Sequence, residues 1–269
     1  MNTSTSGEGL QDQRVLDFYC DALQTLAGHD VPFLVGGAYA FDRYAQIARY
    51  TKDFDVFVLP EDVDRTLDVL AARGYQAKLL FPHWLGKVWS GDAVMDVIFN
   101  SGNGGVPVDE EWFEHAPQAE IMGLTLPLCP VEEMIWSKSF VIERERTDAA
   151  DVAHMLRVCA GWLDWPRLMR RFGPHWRMLF AHLILFGFIY PDDRSRIPAD
   201  VMRELWGRME KELTENGDQH VCYGTLLSRA QYLWDVERLG YEDARVFPRG
   251  GMTPEDVARW TAAIDEDQR

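Results

Sequence analysis

The chain has 269 residues, 47% of them hydrophobic and 12% aromatic, so it can bury one large core or two small ones. Its net charge of -16, with 25 acidic and 12 basic residues in positions 1–157 against 18 and 15 in the rest, excludes broad, non-specific DNA or RNA binding, which needs Lys and Arg to neutralise phosphates. No run of about 18 apolar residues excludes a helical membrane span, and Cys20, Cys129, Cys159 and Cys222, far apart with no C-x-x-C spacing, exclude a zinc or redox motif and fit reduced thiols in the cytoplasm.

Residues 1–9 lack the basic and apolar regions of a signal peptide and read as a disordered tail. Leu16, Tyr19, Cys20, Leu23 and Leu26 recur at helical spacing and predict a helix over about 10–28, followed by a strand over 31–35. Gly36-Gly37 then leads into a predicted helix over 38–47. Its unpaired backbone N–H groups and dipole favour a phosphate, and glycine there lets the phosphate reach the backbone. The same pair also suits a plain tight turn.

The segment Thr51-Lys52-Asp53-Phe54-Asp55-Val56-Phe57-Val58 predicts a strand closed by Pro60. Residues i and i+2 of a strand share a face, so Asp53 and Asp55 project together while Phe54 and Val56 turn into the core. A helix over 61–73 ends at Gly74, and strands follow over 75–80, 85–89 and 93–99. The last strand carries Asp96 among Met95, Val97 and Ile98, on the face opposite Met95 and Val97. Asp96 meets the other two aspartates only if their strands are neighbours. Three converging carboxylates repel one another and need a partner, and hard, oxygen-seeking cations such as Mg²⁺ or Mn²⁺ are suited to that place.

Asn100-Ser101-Gly102-Asn103-Gly104-Gly105 reads either as the lip of a substrate mouth or as a surface turn. Short strands over 119–121 and 124–128 complete the sheet region. From Pro130 the pattern is helical, over 131–145, 148–159, 166–172, 175–188, 199–214, 223–237 and 254–264. The expected organisation is thus a tail over 1–9, a mixed-sheet core over 10–129 and a helical domain over 130–269, with a ligand cleft between the last two.

The order of these pieces resembles the nucleotidyltransferase superfamily that includes DNA polymerase beta, whose signature is an apolar residue, Gly, and Gly or Ser, followed by Asp-apolar-Asp-apolar. Gly36 and Gly37 match the first part; Asp53, Phe54, Asp55 and Val56 match the second. The segment Arg49-Tyr50-Thr51-Lys52-Asp53-Phe54-Asp55 resembles the Arg-x-Thr/Ser-x-Asp-x-Asp of the branch that holds the AbiE-type toxins and small antibiotic nucleotidyltransferases. Lys138, Arg144 or Arg146, and then Asp148 and Asp151 follow the order of that branch's later motifs. The resemblance spans about residues 32–156.

It implies an α+β fold, a mixed β-sheet nucleotidyltransferase core with flanking helices followed by a mainly helical C-terminal domain. It also implies metal-dependent transfer of a nucleoside monophosphate from a nucleoside triphosphate to a hydroxyl. Asp53 and Asp55 would bind both ions with the triphosphate, and Asp96 would bind the ion nearest the acceptor and help take its proton. Gly36, Gly37 and Lys138 would hold the phosphates, with Arg49 and Lys87 as candidates by position. Asp148 and Asp151 either cap their helix or orient Lys138 and the base of the nucleotide.

The acceptor stays open. A cationic molecule such as an aminoglycoside fits the acidic charge. A tRNA end or a protein side chain, with an antitoxin as partner, follows from the toxin branch, and the cluster Arg167, Arg170, Arg171, His175 and Arg177 is either its binding surface or a set of salt bridges between helices. His83-Trp84 is a further candidate for stacking on a nucleobase. The alternative to an enzyme is a nucleotide-binding or interaction module on the same fold that has lost its chemistry.

Overall fold

In the computed structural model, which describes residues 5–48, 51, 53–101, 103–214 and 220–267, the chain divides into two units. One comprises Met1–Asp42, Ala48–Asn100 and Pro107–Pro130; the other comprises Arg43–Ile47, Ser101–Val106 and Val131–Arg269.

In the first unit, helix α1 (Thr5–Gly28) precedes strand β1 (Leu34–Val35), helix α2 (Gly37–Ala45) and strand β2 (Asp53–Phe57). The helix begins within the stretch read from sequence as a tail. Next come a 3-10 turn over Pro60–Asp62, α3 (Val63–Ala72), and strands β3 (Gln76–Phe81), β4 (Leu85–Ser90) and β5 (Ala93–Ile98). A short helix that the periodicity did not announce, α4 (Glu110–Glu114), is capped by the Asp109 side chain on the Glu111 amide. It precedes the hairpin β6 (Gln118–Ile121) and β7 (Leu124–Pro127).

The five-stranded sheet runs β1-β2-β5-β4-β3 and is mixed: β2 and β5 are parallel, and the other neighbours are antiparallel. Alternation splits it into two faces. Phe54, Val56, Val88, Met95 and Val97 are fully buried. The Phe54 ring packs against Tyr19 of α1 at 5.0 Å, and Gly86 of β4 has Leu67 of α3 against it, so these helices cover the apolar face. The alternate residues Asp53, Asp55, Lys87 and Asp96 share the opposite face, because residues paired across a ladder point the same way.

The second unit contains α5 (Val131–Ser139), α6 (Ala149–Cys159), α7 (Trp165–Phe172), α8 (Trp176–Ile189), α9 (Ala199–Glu212), α10 (Leu233–Leu239) and α11 (Pro254–Asp267). Met134, Ile135, Leu156, Leu168, Phe172, Leu179 and Phe186 form its core. Two long predicted helices are broken. The expected helix over 131–145 stops at Ser139, because the chain turns back at Ile142, which bridges to Thr147, while the Glu143 amide bonds the Arg146 carbonyl. Arg144 and Arg146 therefore lie in a loop. The expected helix over 223–237 becomes a 3-10 turn over Tyr223–Leu226 and the short α10, and a two-stranded ladder of β8 (Val221–Cys222) with β9 (Glu242–Asp243) interrupts the helical region. Among the described residues no helix is long and apolar enough to cross a membrane.

Asn103 is anchored: its side chain is buried, donates to the Leu226 carbonyl at 3.2 Å and accepts from Trp260 Nε1 at 2.9 Å. It acts as a tether within its unit, a role neither reading of the Asn and Gly run anticipated. His83 is buried in the turn between β3 and β4, where Phe81 lies edge-on to it and stacks with Trp84.

Candidate active site

β1 runs straight into Gly36 and Gly37, and both glycines are required by what lies against them. A Cβ on Gly36 would collide with the Phe57 ring. Gly37 has φ +54, in the left-handed region, and a Cβ there would collide with the Asp55 carboxylate. The Gly36 amide donates to the Asp55 carbonyl at 3.0 Å. The glycine turn and the Asp-x-Asp strand, 16 residues apart between Gly37 and Asp53, are therefore one construction: the amino end of α2 sits on Asp55. Gly37→Ala is expected to lose about 1–2 kcal/mol from the left-handed backbone alone, and to move the Asp55 carboxylate. Urea denaturation reads the first effect, and a loss below about 0.5 kcal/mol would show that the left-handed backbone at Gly37 is not required.

Asp55 pairs with Asp96 in register across the parallel β2–β5 ladder, and Asp53 pairs with Val94 one step earlier on the same face. The two strands are neighbours, as the convergence of the aspartates required. Asp53 is exposed; Asp55 and Asp96 are part-buried. Across the antiparallel β4–β5 ladder Asp96 faces Lys87, whose Nζ lies 2.9 Å from Oδ1 and 3.3 Å from Oδ2. Burial pushes the Asp96 carboxyl above its ordinary value, with Asp53 adding to the rise and Lys87 holding part of it back. Tyr19 of α1 is close enough to feel this face: burial, Tyr39, Asp53 and Asp55 all raise its hydroxyl.

Among the described residues, no group of three or more His, Cys, Asp or Glu side chains is gathered to hold a metal ion. The donor chemistry nevertheless fits Mg²⁺ or Mn²⁺. Such ions are commonly held by one or two carboxylates and completed by substrate phosphates, and Asp55 and Asp96 supply two carboxylates in adjacent register.

Lys138, near the end of α5, lies 2.7 Å from Asp148 Oδ2 and 2.8 Å from Asp151 Oδ2. Arg146 also reaches Asp148, at 3.2 Å. Asp148 stands at the N-cap of α6 without making a capping bond with its side chain, so its carboxylate serves Lys138 rather than the helix end. Burial works against the Asp148 charge, but Lys138 and Arg146 outweigh it and hold the carboxyl below the ordinary range. A carboxylate lowered in the folded state adds stability above the unfolded value near 3.9 and loses it as pH falls through the folded one. Lys138→Met is therefore expected to cost about 2–3 kcal/mol at pH 7, and less at pH 3, which lies below the unfolded value. Denaturant titrations at the two pH values check this; an equal deficit at both would rule out ionised Asp148 as the source.

The arginine cluster is largely accounted for inside its own unit. Arg167 Nη1 bonds both oxygens of Glu133, at 2.6 and 2.8 Å, and Nη2 bonds Glu132; Arg171 Nε bonds Glu133 at 2.9 Å and lies over the Trp136 ring. Glu133 has no exposed side-chain surface. Arg177 pairs with Glu212 and stacks on Trp176. These contacts are the salt bridges between helices that were one of the two sequence readings. The adjacent Glu132 and Glu133 were not singled out from sequence, although two glutamates beside Val131, Met134 and Ile135 on one helix are the signal that would have flagged them. Arg49 lies outside the described residues.

No family model matches the chain, and no curated protein matches it. Among solved structures it is similar to the antibiotic-resistance factor ANT(2'')-Ia, at 16% identity, covering 64% of this chain and 97% of that one with a TM-score of 0.46. It is similar to the lincosamide antibiotic adenylyltransferase LnuA bound to lincomycin, at 12% identity, covering 52% and 94% with a TM-score of 0.37. A third is an antigenic nucleotidyltransferase-like protein from Paracoccidioides brasiliensis, at 15% identity, covering 68% and 91% with a TM-score of 0.44.

Proposed function

We propose that this chain is a metal-dependent nucleotidyltransferase that moves a nucleoside monophosphate from a nucleoside triphosphate to a hydroxyl of a cationic small molecule, in the cytoplasm. The observation that carries the reading is the joining of the two motif halves. The Gly37 backbone lies against Asp55, and Asp55 lies beside Asp96 in the parallel ladder. A phosphate-accepting helix end and a pair of carboxylates thus meet on one sheet face.

In the proposed reaction the acceptor oxygen bonds to the α-phosphorus, the bond from that phosphorus to the bridging oxygen breaks, and pyrophosphate leaves. The amides at the start of α2 orient the triphosphate. Asp53 and Asp55 would hold the ions together with the triphosphate, and Asp96 would hold the one nearest the acceptor. Mg²⁺ or Mn²⁺ held there would supply charge neutralisation for the leaving pyrophosphate and would lower the pKa of the acceptor hydroxyl. Asp96 takes the hydroxyl proton; burial, by raising its carboxyl, makes it the better base.

Two observations favour a cationic small molecule over tRNA. The acidic excess is concentrated in the part of the sequence that carries the aspartates. Arg167, Arg171 and Arg177 are engaged by glutamates. Lys138 and Asp148 keep the nucleotide-binding roles that the family resemblance implies for them, as a proposal.

The test is incubation with each α-labelled nucleoside triphosphate, Mg²⁺ or Mn²⁺, and separate pools of aminoglycosides, tRNA and proteins. Label in the aminoglycoside pool is the expected result. Label in the tRNA or protein pool would overturn the acceptor assignment alone. Nucleotide binding with no transfer to any pool would leave a binding module and overturn the catalytic reading.

A further inference from the structure

Lys87 was a candidate for gripping phosphate, yet its ammonium is directed at Asp96. The reason lies in the ladder. Ser90 pairs with Ala93 around the Gly91-Asp92 turn, and counting back from that turn sets Lys87 directly opposite Asp96. On the other side Lys78 of β3 faces Lys87 in register, and a like charge directly opposite drives the ammonium towards the carboxylate. Both partners of the pair are largely shielded, with side chains 24% and 13% exposed.

We propose that Lys87 is a positioning residue that serves as the resident counter-cation of Asp96, and that a divalent ion must displace its ammonium to bind there. This rests on the reading of Asp55 and Asp96 as ion ligands. It explains how adjacent aspartates are tolerated before any ligand arrives: one of them is already neutralised. It also makes ion binding depend on the nucleotide, because the added negative charge of a triphosphate draws the ion in against Lys87.

The experiment is a Mn²⁺ titration followed by electron paramagnetic resonance, without nucleotide, on the full chain and on Lys87→Met, Lys87→Arg, Asp55→Asn, Asp96→Asn and the Lys87→Met/Asp96→Asn double variant. Lys87→Met removes a unit charge beside the ligand and is expected to tighten Mn²⁺ binding by about tenfold or more. Lys87→Arg should stay near the parent, and the double variant should lose the gain. Binding in Lys87→Met equal to or weaker than the parent, with Asp96→Asn still weakening it, would overturn the role of Lys87 alone. Binding unchanged by both Asp55→Asn and Asp96→Asn would overturn the ion-ligand reading itself. Should Lys87→Met not fold, acetic anhydride labelling of the parent protein, read at Lys87 by mass spectrometry, gives the same answer: Mn²⁺ should raise its reactivity, and an unchanged or lower reactivity would overturn displacement.

Discussion

Asp96→Asn is expected to lower nucleotidyl transfer by about 10³-fold or more, equivalent to roughly 4 kcal/mol of transition-state stabilisation. The substitution keeps an oxygen that can accept from Lys87 while removing the negative charge that would hold an ion and receive the acceptor proton. Stability should hardly change. Burial already opposes the Asp96 charge, and its ion pair with Lys87 is partly hydrated, so the gain and the loss nearly offset one another. The expected pattern is an inactive protein whose melting temperature stays within a few degrees of the parent's. Single-turnover transfer with a labelled triphosphate gives the rate, and thermal denaturation gives the control. Activity within tenfold of the parent would remove Asp96 from the reacting centre.

Arg167→Met should produce the converse, a folded protein much easier to unfold. It takes from wholly buried Glu133 the guanidinium that bonds both of its oxygens, leaving Arg171 on that carboxylate, and deprives Glu132 of its arginine. Breaking a buried pair from one side typically costs about 3–5 kcal/mol. For a chain of this size that lowers the melting temperature by roughly 6–20 °C. The loss should shrink in mild acid. Burial already raises the Glu133 carboxyl while Arg167 and Arg171 hold part of that back, so removing Arg167 raises it further. A group raised in the folded state destabilises it at high pH and ceases to do so as pH falls and the carboxyl protonates.

Combining Arg167→Met with Glu132→Gln should recover much of the loss, because it removes the carboxylate that lost its arginine and leaves Glu133 paired with Arg171. A single-variant loss below about 1 kcal/mol, or no recovery in the double variant, would show that the network is not what joins α7 to α5.

Local pattern was enough for the front of the molecule. Alternation around Asp53, Asp55 and Asp96 determines which residues of each strand turn inward, and the Gly-Gly step determines where α2 starts, because those choices depend on neighbours two to four residues away. Even the Lys87 to Asp96 pairing was within reach, since a tight turn at Gly91-Asp92 sets the register of the hairpin that follows from it. What lay beyond reach were choices made by distant partners. The helix expected over 131–145 stops at Ser139, where backbone bonds around Ile142 and Thr147 take over. Of the two readings open for the arginine cluster, a binding surface or salt bridges between helices, the choice for Arg167 and Arg171 is made by Glu132 and Glu133, more than 30 residues away in the chain.

The sequence by itself determined which residues are available to a site: a glycine pair at a strand-to-helix step, carboxylates that share a strand face and no cysteine or zinc motif to compete with them. Only the tertiary structure decided which charges meet. It set Asp55 beside Asp96 through a parallel ladder that joins strands separated by α3 and a hairpin, placed Gly37 against Asp55, gave Lys87 to Asp96, and gave Lys138 to Asp148 and Asp151. The physical reason is range: side-chain direction follows from the local backbone period, whereas the partner of a charge depends on which distant segment packing brings within about 4 Å.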